Sequence, residues 1–178
     1  GAGAAGDIDG QNNFDSSGAA VALDATGTTI AIGARRNGSS AGQVRVYSTD
    51  GTTWTQVGGD IAGEAAGDYL GTSVSISGDG LRVATGAPFN SIGGSATNAG
   101  HVRVYSTDGT TWSQVGGDIA GEAAGDYLGT TVAISGDGLR VASGAPFNSI
   151  GGSATNAGHV RVYSTDGTTW TQVGGDID

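Results

Sequence analysis

A unit of about 58 residues occurs three times in this chain of 178 residues, and this repetition restricts the fold more than any other feature. Trp54, Trp112 and Trp170 stand at equal spacing, one in each unit. The segment 59–116 returns as 117–174 with changes at four positions, all of them between small residues. The sequence therefore predicts three structural units, at 1–58, 59–116 and 117–178.

The first unit is more divergent than the other two. Its Gly6-Asp7-Ile8 aligns with Gly59-Asp60-Ile61 of the second unit. After Asn37 it lacks five residues, and it rejoins the common pattern at Ala41. A change in length between conserved segments is typical of a surface loop.

Alternation of apolar and small polar residues predicts four antiparallel strands in each unit, at 72–77, 81–87, 100–106 and 111–119 in the second. In its first strand Val74 and Ile76 alternate with Ser73 and Ser75. Short Gly- and Asp-containing segments separate the strands and are typical of hairpin turns. Four strands at this period predict an all-β fold of β-propeller blades, three four-stranded antiparallel units. An array of β-sandwiches is the alternative, but it does not require such strict repetition.

Three blades do not close a ring, because propellers usually contain about four to eight. We expect the blades to be part of a six- or seven-bladed ring, completed either by another copy of the chain or by further repeats of a longer one. The segment Gly175-Asp176-Ile177-Asp178 repeats Gly6-Asp7-Ile8-Asp9, which favours the longer chain.

Charge and composition exclude several classes of partner. The formal net charge is −10 and lysine is absent, so phosphate backbones and anionic lipid surfaces are disfavoured. No apolar run is long enough for membrane insertion. The chain has no cysteine, which excludes a disulfide scaffold and thiol chemistry. Low charge density with many Ser, Thr and Gly predicts an extracellular or cell-surface location.

The motif Leu70-Gly71, followed by segments 73–80 and 83–88, resembles the FG-GAP repeat, and Leu128-Gly129 and Gly144-Ala145-Pro146 continue it in the third unit. The resemblance implies a propeller like that of integrin α-subunit heads and related surface proteins. The calcium loop of that family is missing, because Gly78-Asp79-Gly80 offers one carboxylate where calcium requires about six to eight oxygens. We therefore predict no metal and no cofactor.

The loops after the second and fourth strands of a propeller blade lie on one face, and the resemblance implies that this face contacts ligands. Aromatic rings beside Asn and Asp in these loops suit a sugar or a protein surface. The alternative is that Tyr69 and Phe89 pack the loops onto the blade and Asn90 caps a turn. The candidate ligand-binding residues are Asp68, Tyr69, Phe89, Asn90 and Asn98, with their repeats Asp126, Tyr127, Phe147, Asn148 and Asn156.

Other conspicuous residues have structural interpretations. Each repeated tryptophan is predicted to pack between strands. His101 and His159 lack an evident nucleophile and carboxylate partner, which favours a structural role. Carboxylates near residues 7–15 (Asp7, Asp9 and Asp15) are predicted to be solvated turn residues. Asn37-Gly38-Ser39 fits the N-glycosylation pattern.

These features predict an extracellular structural or adhesion repeat module that mediates protein–protein assembly with copies of itself, further repeats or surface proteins. The alternative is a multivalent, lectin-like glycan-binding propeller. We further predict that the chain is not an enzyme. Identical blades place identical residues around a ring, whereas an active site usually needs different groups at one point.

Overall fold

The computed structural model describes residues 6–91, 97–149 and 156–178, and its regular elements are almost all short strands. Blade 1 contains β1 (Ser17–Leu23), β2 (Thr29–Ala34), a short turn α1 (Asn37–Ser40) with left-handed backbone angles at Gly38 and Ser39, β3 (Gln43–Thr49), β4 (Trp54–Gln56) and β5 (Ile61–Ala62). Blade 2 contains β6 (Ser73–Ile76), β7 (Arg82–Ala87), β8 (His101–Thr107), β9 (Trp112–Gln114) and β10 (Ile119–Ala120). Blade 3 contains β11 (Thr131–Ile134), β12 (Arg140–Ala145), β13 (His159–Thr165) and β14 (Trp170–Gln172).

Each blade is an antiparallel sheet with four strands in chain order, to which blades 1 and 2 add the short strands β5 and β10 beside the third strand, and the predicted all-β architecture is confirmed. The first three strands predicted for the second unit agree with the observed β6, β7 and β8 to within about one residue. The predicted fourth strand is wrong as one continuous element. β9 pairs with the end of β8 and β10 with its beginning, and between these two short strands the Val115 amide donates to the Val104 carbonyl oxygen at 2.8 Å. The intervening segment 115–118 contains two consecutive glycines, which weaken a strand.

The blades pack face to face through two equivalent apolar clusters. The first cluster lies between blades 1 and 2 and includes Val44, Ile61, Leu70 and Val74. The second lies between blades 2 and 3 and contains the corresponding residues of the next pair. Leu70 and Leu128, which stand where the FG-GAP pattern has Phe, are almost completely buried. Apolar side chains of each repeat therefore pack against the neighbouring repeat as well as within their own sheet.

Small residues let the blades approach closely near β6 and β11. A Cβ atom on Gly86 would lie 1.9 Å from the carbonyl oxygen of Gly129, so only glycine fits there. The Ser73 hydroxyl donates to that same carbonyl at 2.7 Å, and the Ile134 amide donates to the Ser75 hydroxyl at 3.0 Å. The small polar face of β6 is thus in contact with the neighbouring blade.

At the opposite end of each junction, a large side chain separates the blades. The indole of Trp112 on β9 reaches blade 1, and the indole of Trp170 on β14 reaches blade 2. The predicted packing role of these tryptophans agrees with their half-buried positions beside the two apolar clusters. No helix in the described ranges is long and apolar enough to cross a membrane.

Candidate functional site

Four aromatic rings form a continuous row along one edge of blades 2 and 3, and we call them the aromatic row. Tyr69 contacts Phe89 with ring centroids 5.0 Å apart. Phe89 contacts Tyr127 of the next blade at 5.2 Å, and Tyr127 contacts Phe147 at 5.3 Å, both edge to face. Such tilted arrangements are the favoured geometry of aromatic pairs. The predicted loop aromatics are therefore brought together, across a blade junction as well as within each blade.

The two tyrosines are held by an unusual backbone. Tyr69 and Tyr127 have φ values of 58° and 57°, in the left-handed region that non-glycine residues rarely adopt. Their amides donate to the carbonyl oxygens of Ser40 and Asn98 in the preceding blade. Strained residues that the surrounding structure holds in place are frequent at binding sites. The tyrosine loop of each blade is consequently tied to the blade before it.

The phenylalanines are the accessible members of the row. Phe89 and Phe147 are both exposed, whereas both tyrosines are half-buried. Each phenylalanine begins the long loop that follows the second strand of its blade, and residues 92–96 and 150–155 of those loops lie outside the described residues. A ligand approaching this edge would therefore meet the phenylalanine rings first.

The Asp and Asn residues predicted beside the aromatics bind each other. The Asn90 amide donates to the Asp68 carboxylate at 2.9 Å, and the Asn148 amide donates to that of Asp126 at 3.0 Å. Both aspartates are buried and also accept a backbone amide in their own loop. These four residues therefore bind each other and connect the two loops of each blade.

Blade 1 contains the same pair, which the sequence had not revealed. The Asn37 amide donates to the Asp15 carboxylate at 3.0 Å, and Asp15 is buried. The prediction that Asp15 is a solvated turn residue is therefore wrong, although Asp7 and Asp9 are exposed. Asn37 is the proposed glycosylation residue, and its amide nitrogen is engaged in this hydrogen bond. The alignment of the units would have identified the pair, since both residues occupy the positions of Asp68 and Asn90.

Asn98 and Asn156 have backbone φ values of 56° and 54° and follow the long loops. The Asn98 side chain donates to the Tyr127 hydroxyl at 3.3 Å, across the blade junction. Asn156 lines a cleft of about 570 Å³ together with Phe89, Tyr127, Phe147 and the blade 1 residue Arg35. All three blades contribute to this cleft, and its volume lies within the usual range of about 300–1,000 Å³ for ligand sites.

A second repeated group lies on β8 and β13 and contains residue types that bind metals. The ligand atoms of Glu64, His101 and Asp118 lie within 4.8 Å of one another, as do those of Glu122, His159 and Asp176. In each group an arginine binds both carboxylates. Arg103 forms two hydrogen bonds to Asp118, at 2.7 and 2.8 Å, and an ion pair with Glu64. Arg161 binds Asp176 and Glu122 in the same way.

The arginines set the charge balance of these groups. Burial alone would lower the pKa of Arg103, but hydrogen bonds to Asp118 and Glu64 outweigh it and raise that pKa. The hydrogen bond from Arg161 lowers the pKa of Asp176 to about 2. Burial lowers the pKa of His101, whose Nε2 makes no hydrogen bond within the described part of the chain. A guanidinium thus occupies the position between the carboxylates that a metal cation would require.

Comparison with known proteins identifies the fold alone. No protein-family model matches the chain, and no curated protein matches its sequence. Among solved structures it is similar to Kuenenia stuttgartiensis hydrazine synthase, with 14% identity, a TM-score of 0.56, and coverage of 94% of this chain and 38% of that one. It is also similar to a putative 6-phosphogluconolactonase from Bacteroides uniformis (13% identity, TM-score 0.58, 88% and 39% covered). A second such protein, from Bacteroides fragilis, has 13% identity and a TM-score of 0.59, with 89% and 38% covered.

These similarities support a β-propeller-type fold, and the chain spans about two fifths of the length of each similar structure. They also correct the prediction that the chain is not an enzyme. Structures named for a synthase and for lactonases share its arrangement of blades, so a repeated architecture of this kind is no argument against catalysis. The resemblance to the FG-GAP repeat stays a prediction.

Proposed function

We propose that this chain is an extracellular adhesion module and that it binds its partner through the aromatic row and the adjoining cleft. The observation that carries the proposal is the continuity of the four rings from blade 2 to blade 3. A row that crosses a blade junction presents an extended surface rather than one isolated pocket. Extended surfaces suit long ligands, such as polymers and the surfaces of other proteins.

The ligand class that fits this surface best is a neutral polysaccharide. Exposed phenylalanine rings offer apolar faces to sugar rings, while Asn156 and the Tyr127 hydroxyl lie beside them for hydrogen bonding. The net charge of −10 disfavours acidic polysaccharides. Repetition of the row in successive blades would give one polymer several contacts, which raises the overall affinity.

The binding surface can be tested with two exposed phenylalanines and one matched control. Phe89→Ala and Phe147→Ala remove rings from the row, whereas Leu139→Ala removes an apolar side chain from the β11–β12 hairpin. Phe89 and Leu139 are both 41% exposed, so both substitutions remove an apolar side chain that is equally accessible to solvent. Pull-down with mannan and xylan, and calorimetry with their soluble oligosaccharides, would measure binding.

We expect the double phenylalanine variant to bind at least about tenfold more weakly, which corresponds to about 1.4 kcal/mol. Leu139→Ala should bind like the unmodified chain. Loss of protein adhesion in the phenylalanine variants, without binding to either polysaccharide, would favour a protein ligand at the same surface. Binding of any ligand that is unchanged in the double variant would contradict the proposal.

We also propose that the blades belong to a closed propeller of six or seven blades related to the FG-GAP proteins. The support is that Leu70-Gly71 and Gly86-Ala87-Pro88 fall at the same positions relative to the blade boundaries as in the repeat, and that the two junctions are equivalent.

Protease treatment of intact source cells would test the proposed extracellular location. A protein on the cell surface should be degraded while the cells remain intact. Complete protection of the protein in intact cells would contradict an extracellular location.

A further inference from the structure

The two observed blade junctions are built from the same residues, so each blade has two different faces. We call the face turned to the following blade the trailing face and the face turned to the preceding blade the leading face. At the second junction, the trailing face of blade 2 consists of Ala84, Val102, Val104 and Ile119. The leading face of blade 3 consists of Leu128, Val132, Ile134, Val141, Ala145, Tyr163 and Trp170.

Blade 3 repeats the trailing face, but nothing in the described chain covers it. Val160 and Ile177 correspond to Val102 and Ile119 and pair with each other in the same antiparallel manner. Ile119 is 3% exposed, whereas Ile177 is 58% exposed. The trailing face is therefore buried in blade 2, where blade 3 covers it, and exposed in blade 3.

Blade 1 shows the complementary situation at its leading face. Val21 and Leu23 correspond to Val74 and Ile76 of blade 2. Val74 is 9% exposed at the first junction, whereas Val21 is 59% exposed. The described structure thus has one uncovered leading face, on blade 1, and one uncovered trailing face, on blade 3. These two faces are of the kinds that meet at the observed junctions.

The contacts between glycine and tryptophan show the same difference between covered and uncovered faces. Added Cβ atoms on Gly58 and Gly116 would touch the indoles of Trp112 and Trp170, whereas one on Gly174 would meet nothing within 4 Å. Gly174 therefore occupies the position that contacts an indole at the two observed junctions, and here it meets no other residue. Trp54 is the tryptophan of blade 1, and among the described residues no blade covers the face of blade 1 on which it lies.

We propose that a second copy of this chain docks head to tail, so that the trailing face of blade 3 covers the leading face of blade 1 of the partner, and that two copies close a ring of six blades. The occupant follows from continuity, because this contact would repeat the two junctions that the chain already contains. Six blades lie within the range of about four to eight seen in propellers. This inference goes beyond the proposed ligand-binding function and does not depend on it.

Closure with two copies leaves no blade face uncovered. A head-to-tail contact joins two different surfaces, and it forms a closed ring only if the rotation between units returns to its start. At each new junction, residues 6–9 of one copy and 175–178 of the other carry the same Gly-Asp-Ile-Asp sequence. One segment fills the position beside Val160, as Ile177 does here, and the other remains outside the sheet.

The proposal can be tested by substituting one exposed residue on each face. Val160→Glu places a charge on the trailing face, and Val21→Glu places one on the leading face. Leu81→Glu alters an exposed leucine of a hairpin and is the control. Light scattering after size-exclusion chromatography at about 0.15 M salt, where charge repulsion is screened beyond about 8 Å, gives the mass of each species. Circular dichroism verifies that every variant is folded.

We expect the unmodified chain and Leu81→Glu at twice the chain mass of 17.2 kDa, and each face variant alone at the monomer mass. An equimolar mixture of the two face variants should regain a dimer, because one of its two junctions is then free of substitutions. A dimer that joins like faces would be disrupted by only one of the two substitutions, and the other variant would remain dimeric on its own. A monomeric unmodified chain, an open series of larger assemblies, or no recovery in the mixture would each overturn the proposal.

Discussion

The indole Nε1 of Trp112 donates a hydrogen bond of 2.8 Å to the backbone carbonyl oxygen of Val57, across the junction between blades 1 and 2. Trp170 makes the same bond to Val115 at the next junction, also at 2.8 Å. A tryptophan that is half-buried on a strand thus joins two units that are far apart in sequence. Substitution by phenylalanine keeps an aromatic ring and removes the hydrogen bond, so it measures how much the bond contributes to stability.

Replacement of Trp112 by phenylalanine should destabilise the fold by about 1–2 kcal/mol, because the Val57 carbonyl loses its donor and some apolar contact is lost. Trp170→Phe should have a similar cost, since its geometry is the same. Urea unfolding followed by circular dichroism would measure both. Costs within experimental error of zero would contradict the structural role of the bond.

Replacement of Gly86 by alanine should destabilise the junction between blades 2 and 3 by about 2–4 kcal/mol, because the new Cβ overlaps the Gly129 carbonyl oxygen. Gly117→Ala is the matched control, since an added Cβ there meets nothing within 4 Å. Thermal unfolding should show a lower midpoint only for Gly86→Ala. Equal midpoints for the two variants would contradict the close approach.

Arg103→Ala should convert its surroundings into a site for a divalent metal. Without the guanidinium, Glu64, His101 and Asp118 retain ligand atoms within 4.8 Å of one another, and zinc accepts histidine nitrogen and carboxylate oxygen. Titration calorimetry with Zn²⁺ should detect binding in this variant and much weaker binding in the unmodified chain.

Arg45→Ala is the control for that experiment, because Gln43 stands in blade 1 where His101 stands in blade 2. It should gain no comparable affinity for Zn²⁺. Equal zinc binding by both arginine variants would show that the histidine does not take part. Arg103→Ala should also be less stable than the unmodified chain, since uncompensated carboxylates are left near the buried His101.

Lowering the pH from about 7 to about 5 should destabilise the protein in part through His101. Burial holds the pKa of His101 below its usual 6.5, so the unfolded chain binds more protons than the folded one between the two values. The stability that depends on neutral His101 is therefore present above about 6.5 and is lost as the pH falls towards the folded pKa.

His101→Gln should reduce this loss of stability, because the substitution removes the titrating group and introduces the residue that blade 1 carries as Gln43. Urea unfolding at the two pH values would give the difference in free energy for each protein. An unchanged pH dependence in the variant would contradict the assignment to His101.

The sequence period predicted the strands but not the contacts between units. Val74 and Ile76 identified β6 through their alternation, whereas the broken fourth strand depends on how β9 and β10 each pair with β8. The prediction brought Tyr69 and Phe89 to one edge, but it could not show that Phe89 also touches Tyr127. Such contacts depend on the rotation between blades, which a single repeat does not encode locally.

The arginine groups illustrate a second limit. Arg103 and Asp118 are close in sequence, but Glu64 precedes both by a whole pair of strands and approaches only after the sheet has formed. Asp15 was misassigned for a related reason, since its partner Asn37 lies beyond the first hairpin. Long-range polar pairs of this kind do not show in the local strand pattern and emerge only when the repeated units are aligned with one another.

The unequal side chains at the two ends of each junction give the blade the shape of a wedge. Glycine meets glycine where Gly86 approaches Gly129, and an indole fills the gap where Trp170 reaches Val115. The taper between these two ends determines the angle through which each unit is turned, and hence the number of units in a full circle. Side-chain volume at these two positions is therefore a means of redesigning the symmetry of the assembly without altering its strands.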